Sequence, residues 1–137
     1  MGSRRQAREL ALQMLYQHEL TGDPVPVIVE NFEEWHRSSP AVQGFATQLV
    51  DGTLEHVEEI DRLLSRQTAH WRLDRLAAVD RNILRLALYE LTHLAETPAA
   101  VVINEAIEIA KKFGSADSGR FVNGVLDGFV KSKAAPE

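Results

Sequence analysis

The stretch Val79-Asp80-Arg81-Asn82-Ile83-Leu84-Arg85-Leu86-Ala87-Leu88-Tyr89-Glu90-Leu91 decides the fold. Read as a helix, it carries Ile83, Leu84, Leu86, Ala87, Leu88, Tyr89 and Leu91 on nearly every face. A helix that is apolar all round has to be surrounded by other elements, so this segment predicts the centre of a bundle. The rest of the chain offers helices as neighbours and no convincing strand. N-terminal to it, Val42, Phe45, Ala46, Leu49, Val50, Leu54, Val57, Ile60, Leu63 and Leu64 sustain a helical period, with Gly52 marking a kink or a break. A short stripe of Ile28, Phe32 and Trp35 lies between Pro24-Val25-Pro26 and Ser38-Ser39-Pro40. The first helix is expected from about Arg4 to Leu20, opened by a capping box of Ser3 and Gln6 and stopped at Thr21-Gly22-Asp23-Pro24. C-terminal to the central segment, Thr97-Pro98 reads as a cap with an N1 proline. Val102, Ile103, Ala106, Ile107, Ala110 and Phe113 then run to Gly114. Asp117 or Ser118 caps a last helix with Phe121, Val122, Val125, Leu126 and Phe129 inward, and the tail from Lys131 lacks a stripe and is expected to fray.

The 137 residues form one domain by size, long enough to bury roughly 68% of the unfolded chain's surface. With no cysteine there is no disulfide framework, thiolate metal site or thiol nucleophile, which points to a reducing compartment. The apolar run Ile83 to Leu91 is interrupted by Arg85 and Glu90, and it falls far short of the about 20 residues that span a bilayer. No membrane association and a cytoplasmic location are expected. The net charge of -5 argues against a wholesale nucleic-acid coat, so any phosphate-binding surface must be a local patch.

That patch is expected at the start of the chain. On a helical wheel of about 100° per residue, Arg4, Arg5 and Arg8 share one side of the first helix, opposite Ala7, Leu10, Ala11 and Met14. Arginines at a helix N-terminus oppose the macrodipole, and Arg4 with Arg8 repels at i, i+4, so helix stability does not account for them. Guanidinium forks fit phosphate oxygens and stack on bases, which makes a nucleic-acid backbone the functional reading. A merely solubilising N-terminus is the plain alternative. A second cluster, Phe113, Asp117, Ser118, Arg120, Phe121 and Asn123, surrounds the joint of the last two helices. Aromatic rings beside exposed polar groups stack single-stranded bases and read their edges, although Phe113 and Phe121 also fit a core. Arg81 and Arg85 would extend a positive track, unless they pair with Asp80 or Asp74.

Catalytic and metal chemistry is not indicated. The five histidines never fall at i, i+4, so neither a metal nor another cofactor is expected. The segment from Gly114 to Phe121 has the glycine spacing of a phosphate-binding loop. However, Arg120 stands where a lysine is needed and Phe121 where a Ser or Thr is needed, and the segment follows a helix. Asp51, Glu55, Glu58, Glu59 and Asp61 read as the solvated face of a helix.

Three blocks carry a family resemblance: Arg4-Arg5-Gln6-Ala7-Arg8-Glu9-Leu10-Ala11 through Tyr16, the central Val79 to Leu91, and Ile103-Asn104-Glu105-Ala106-Ile107-Glu108 through Asp127. Together they resemble the NusB family of bacterial transcription antitermination factors, over nearly the whole chain. The resemblance implies an all-α fold of about seven helices in two small packed bundles. It also implies a single RNA-binding domain over 1–137, with helical subdomains at about 1–66 and 67–133. The implied role is non-enzymatic: binding boxA-type single-stranded RNA of nascent ribosomal RNA transcripts together with NusE, a small-subunit ribosomal protein, in the transcription elongation complex. The positions implied to face RNA are Arg4, Arg5, Arg8, Tyr16, Arg85, Phe113, Asp117, Arg120 and Phe121, and Asp80 and Arg81 are implied to meet the partner protein. Some members carry Glu where this chain has the shorter Asp80 carboxylate. A helical adaptor binding only protein, or a homodimer hiding its basic tip, is the rival reading. The same fold also precedes the catalytic domain of certain ribosomal RNA cytosine methyltransferases, but this sequence has no nucleotide-cofactor loop.

Overall fold

The computed structural model describes residues 2–68 and 72–134. Among them it has no strand and eight α-helices: α1 Ser3–Thr21, α2 Val25–Asn31, α3 Glu33–Arg37, α4 Pro40–Glu55, α5 Val57–Gln67, α6 Ala78–His93, α7 Ala99–Phe113 and α8 Ser118–Ala134. A 3₁₀ turn, Leu73–Arg75, precedes α6. Residues 69–71, which follow α5, and the last three residues of the tail lie outside the described residues.

The helix α6 is central, as its all-round apolar pattern requires. It packs on α1, α4, α5, α7 and α8, and Leu84 and Leu88 are wholly buried. Each such leucine contributes about 1.5–3 kcal/mol by leaving water. Its buried face also takes in Asn82 and Glu90, which the apolar reading passes over.

Several boundaries differ from expectation for identifiable reasons. The short second helix divides at Phe32, whose extended backbone ends α2 and opens α3. The long helix runs straight through Gly52 and breaks instead at His56, while α5 restarts at once through Ile60 N–H donating to His56 O at 2.9 Å. At Gly52 the missing side chain makes room for the Tyr89 ring of α6. The Ser3–Gln6 capping box does not form: Gly2, at φ 80°, is the N-cap, and Gln6 N–H donates to its carbonyl at 2.6 Å. Likewise Pro98, not Thr97, takes the N-cap position of α7. Gly22 ends α1 at φ 75°, donating to His18 O at 2.9 Å. That left-handed conformation favours glycine. The expected fraying from Lys131 is not seen, since α8 continues to Ala134.

Candidate nucleic-acid interface

The arginines at the start of α1 have three different environments. Arg8 is buried and donates from Nε and Nη2 to Glu90 of α6 at 2.7 and 2.8 Å, with a longer contact of 3.5 Å to Glu105 of α7. Burial works against its charge, but the hydrogen bonds and negative charge of Glu90, with Glu105, outweigh that and hold the guanidinium above its ordinary pKa. Arg5 is part-exposed and forms a bidentate pair with Glu105, at 2.7 and 2.6 Å. Its hydrogen bonds hold the Glu105 carboxyl below the ordinary glutamate range, against the opposing effect of burial. Arg4 is exposed and sits with its guanidinium carbon 4.0 Å from the centroid of the Phe45 ring of α4. Among the described residues Arg4 has no ion pair. The expected row of unneutralised guanidinium groups is therefore corrected. Arg8 is a core ion pair, Arg5 is half-neutralised, and Arg4 alone of the three presents its charge without a carboxylate.

The joint of α7 and α8 joins this face through α1. At about 100° per residue, Arg5, Glu9 and Tyr16 fall within about 40° of one another. Glu9 accepts from Lys112 Nζ of α7 at 2.8 Å, just as Glu105 of α7 accepts from Arg5. These two contacts set α1 and α7 side by side in the same direction, so the arginine tip and the end of α7 lie along one surface. Lys112 lies 5.4 Å above the ring of the adjacent Phe113. Phe113 and Phe121 are half-buried against the core, Asp117 and Arg120 are exposed at the start of α8, and Tyr16 is 37% exposed on α1. Asp117 opens α8 through its backbone carbonyl, which accepts from Phe121 N–H at 3.0 Å. Ser118 is buried, and its hydroxyl accepts from Ser115 N–H at 2.9 Å.

Arg81 and Arg85 do not extend the positive track. They sit near the other end of α1, where Glu19 is about 21 Å along the helix from Arg5 at about 1.5 Å per residue. Arg85 donates to both oxygens of Asp61 at 2.9 Å and to Glu19 at 2.9 Å. Arg81 pairs with Glu19 and donates to the carbonyls of Leu73 and Leu76 at 3.1 and 2.6 Å. The carboxylate partners are thus Glu19 and Asp61, not the Asp80 and Asp74 that sequence spacing suggests, and Asp61 is not simply a solvated group. Arg81, with smaller help from Arg85, holds Glu19 below the ordinary glutamate range. These residues line an open cleft of about 640 Å³. Asp80 is half-buried, and its Oδ1 meets no hydrogen-bond donor among the described residues.

Sequence reasoning missed Phe45, Glu90, Glu105 and Lys112. Phe45 was legible only as a core residue, and the acidic partners come from helices far along the chain. A charged residue on an otherwise apolar segment, such as Glu90, is the one signal that would have pointed to a buried partner.

Comparison with known proteins agrees with this architecture. The NusB family model matches residues 5–131. The transcription antitermination protein NusB of Desulforamulus reducens is 47% identical over 135 residues, covering 97% of this chain and 94% of its own. A solved NusB of T. maritima superposes with a TM-score of 0.80 at 40% identity, covering 93% of this chain and 90% of that one. A complex of the antitermination factors NusB and NusE with double-stranded RNA contains a chain with a TM-score of 0.84 at 32% identity, covering 96% of this chain and 98% of that one. With α6 central, α1 plugged against it and the match running almost end to end, the chain belongs to the NusB family.

Proposed function

We propose that this protein acts in transcription antitermination as a single RNA-binding domain over 1–137, holding boxA-type single-stranded RNA of nascent ribosomal RNA transcripts together with NusE. The division into helical subdomains at about 1–66 and 67–133 belongs to the same reading. The carrying observation is the Glu9–Lys112 ion pair, which puts the α1 tip and the α7–α8 joint on one surface. Exposed cations at Arg4 and Lys112, with Arg5 part-exposed, flank the pairs that join α1 to α7, and Arg120, Phe113 and Phe121 belong to the α7–α8 joint that follows Lys112. Phosphates would meet the cations while bases stack on the rings, the combination by which single strands are held. In the solved relative, NusB is bound with NusE and double-stranded RNA, which supports both kinds of partner. Arg8 acts here by positioning: it anchors the tip through Glu90 and shares Glu105 with Arg5.

The partner protein is assigned to the region of α6 that carries Asp80 and Arg81, with Arg85 beside them. The observation in favour is the open cleft that Arg81 lines with Arg85, Glu19 and Asp61, a concave charged surface that a partner's polar side chains could enter. The homodimer and the protein-only adaptor remain the competing reading, favoured by the exposed apolar side chains of Leu20 and Val27. The test is fluorescence anisotropy with labelled boxA RNA and a scrambled control, with and without NusE, alongside sizing of the free protein. Binding that prefers boxA and tightens with NusE is expected. A free protein that is dimeric and indifferent to RNA in both conditions contradicts the proposal.

A further inference from the structure

Away from this surface, His56, Glu59 and His93 come together although they are far apart in sequence. His56 occupies the break between α4 and α5, Glu59 lies one turn into α5, and His93 is the last residue of α6. One ligand atom from each lies within 4.8 Å of the others. We propose that these residues form a binding site for a divalent transition-metal ion of the zinc type, which ties α5 to the C-terminal end of α6.

The tautomer of His93 is set by its neighbour Thr92. Thr92 Oγ1 donates its proton to Leu88 O at 2.7 Å, leaving only lone pairs for its second neighbour, His93 Nδ1, also at 2.7 Å. His93 therefore donates from Nδ1, and in its neutral form Nε2 carries the lone pair. That nitrogen faces Glu59 Oε1 at 3.6 Å. The two lone pairs converge on the space between them, where a cation would be favoured. A bridging proton draws such a pair to about 2.7–2.9 Å. The observed gap is wider, and it is close to the about 3.3 Å edge of a tetrahedron whose ligands lie about 2.0–2.1 Å from a metal. A metal-binding histidine is commonly oriented by an acceptor at its other ring N–H, the place that Thr92 Oγ1 takes here.

The donor set selects the ion. Two imidazoles and one carboxylate suit zinc and its neighbours better than magnesium or calcium, which prefer oxygen alone. Solvent can supply a fourth ligand, because Glu59 and His93 are exposed. His56 is stacked on His93 with ring centroids 4.1 Å apart, so its imidazole must turn out of the stack to close on the ion. The Tyr89 ring, stacked 5.3 Å from His93, backs the site from within.

The test uses untagged full-length protein stripped with chelator and titrated with ZnCl2 by calorimetry, with Tm followed in parallel and Co2+ absorption as a spectroscopic readout. One zinc per chain is expected, with a Tm that rises with zinc concentration. His93→Ala and Glu59→Gln should abolish both effects, and His36→Ala, at an exposed site elsewhere, should leave them intact. Glu59 is half-exposed, so its substitution keeps the result interpretable if His93→Ala fails to fold. Thr92→Val should weaken zinc by about 10-fold, the loss expected when an orienting partner is removed. Equal zinc responses in wild type and Glu59→Gln overturn the site. So does an absent response in the wild type, with His93 found as an imidazolium paired to Glu59.

Discussion

Arg8 Nε and Nη2 grip both carboxylate oxygens of Glu90 across the interior between α1 and α6, at 2.7 and 2.8 Å, with both side chains nearly sealed from solvent. A charge pair of this kind holds only while complete, since either member alone is a buried uncompensated charge. Arg8→Ala and Glu90→Ala should each cost about 3–5 kcal/mol. Replacing both residues by apolar side chains of similar volume should cost far less. Urea unfolding of the single and double variants checks this. It also separates Arg8 from the RNA surface: reduced RNA binding by Arg8→Ala should track its loss of folded protein.

Gly52 should be intolerant of alanine. A Cβ there would fall 2.5 Å from Tyr89 Cε1, with the ring's Cζ and hydroxyl closer still. Overpacking of this kind costs about 1–3 kcal/mol. Gly124, on the exposed side of α8, has nothing within 4 Å of the added carbon, and alanine there should stabilise by about 0.5–1 kcal/mol through helix propensity. Opposite shifts in Tm for the two variants are the expected outcome.

Stability should fall on acidification through Glu105 and Glu19. Both carboxyls are held below their ordinary value of 4.5, by Arg5 and Arg81 respectively. The unfolded state therefore takes up protons first as pH drops. Their contribution is complete above the unfolded-state value and is lost as pH falls through the lower folded-state values. Chemical denaturation from neutral pH down into this window should show the decline, and Glu105→Gln should flatten part of it.

RNA binding should weaken with salt in proportion to the cations that meet phosphate, Arg4 and Arg120 directly and Arg5 and Lys112 by exchanging their carboxylate partners for it. If Arg4, Arg5, Lys112 and Arg120 neutralise about four phosphates, log K against log salt should have a slope near -3, from roughly -0.7 per phosphate on a single strand. Arg4→Ala or Arg120→Ala should each reduce that slope by about 0.7 and weaken boxA and scrambled RNA alike. Phe121→Ala, checked first by circular dichroism, should instead narrow the difference between the two RNAs. A salt-independent affinity would remove the phosphate contacts from the account.

The helices themselves were readable from local pattern, because amphipathic periodicity depends only on neighbours three and four residues away. The central place of α6 follows from its apolar faces, and the end of α1 from Gly22. The helix breaks were less readable. A glycine at 52 looks like a break in sequence, whereas its role is to admit an aromatic ring from another helix.

An all-helical chain with α6 inside, a cluster of arginines at the start of α1 and an aromatic, polar joint before α8 are all written in local residue pattern. Which of those charges stay available is set by how the helices pack. Arg8 is paired by Glu90, Arg5 by Glu105 and Arg85 by Asp61 and Glu19, while Arg4 rests on Phe45. The reason is physical: helix formation is a local event, whereas neutralising a charge takes a partner within a few ångströms, and helix packing brings that partner from anywhere in the chain.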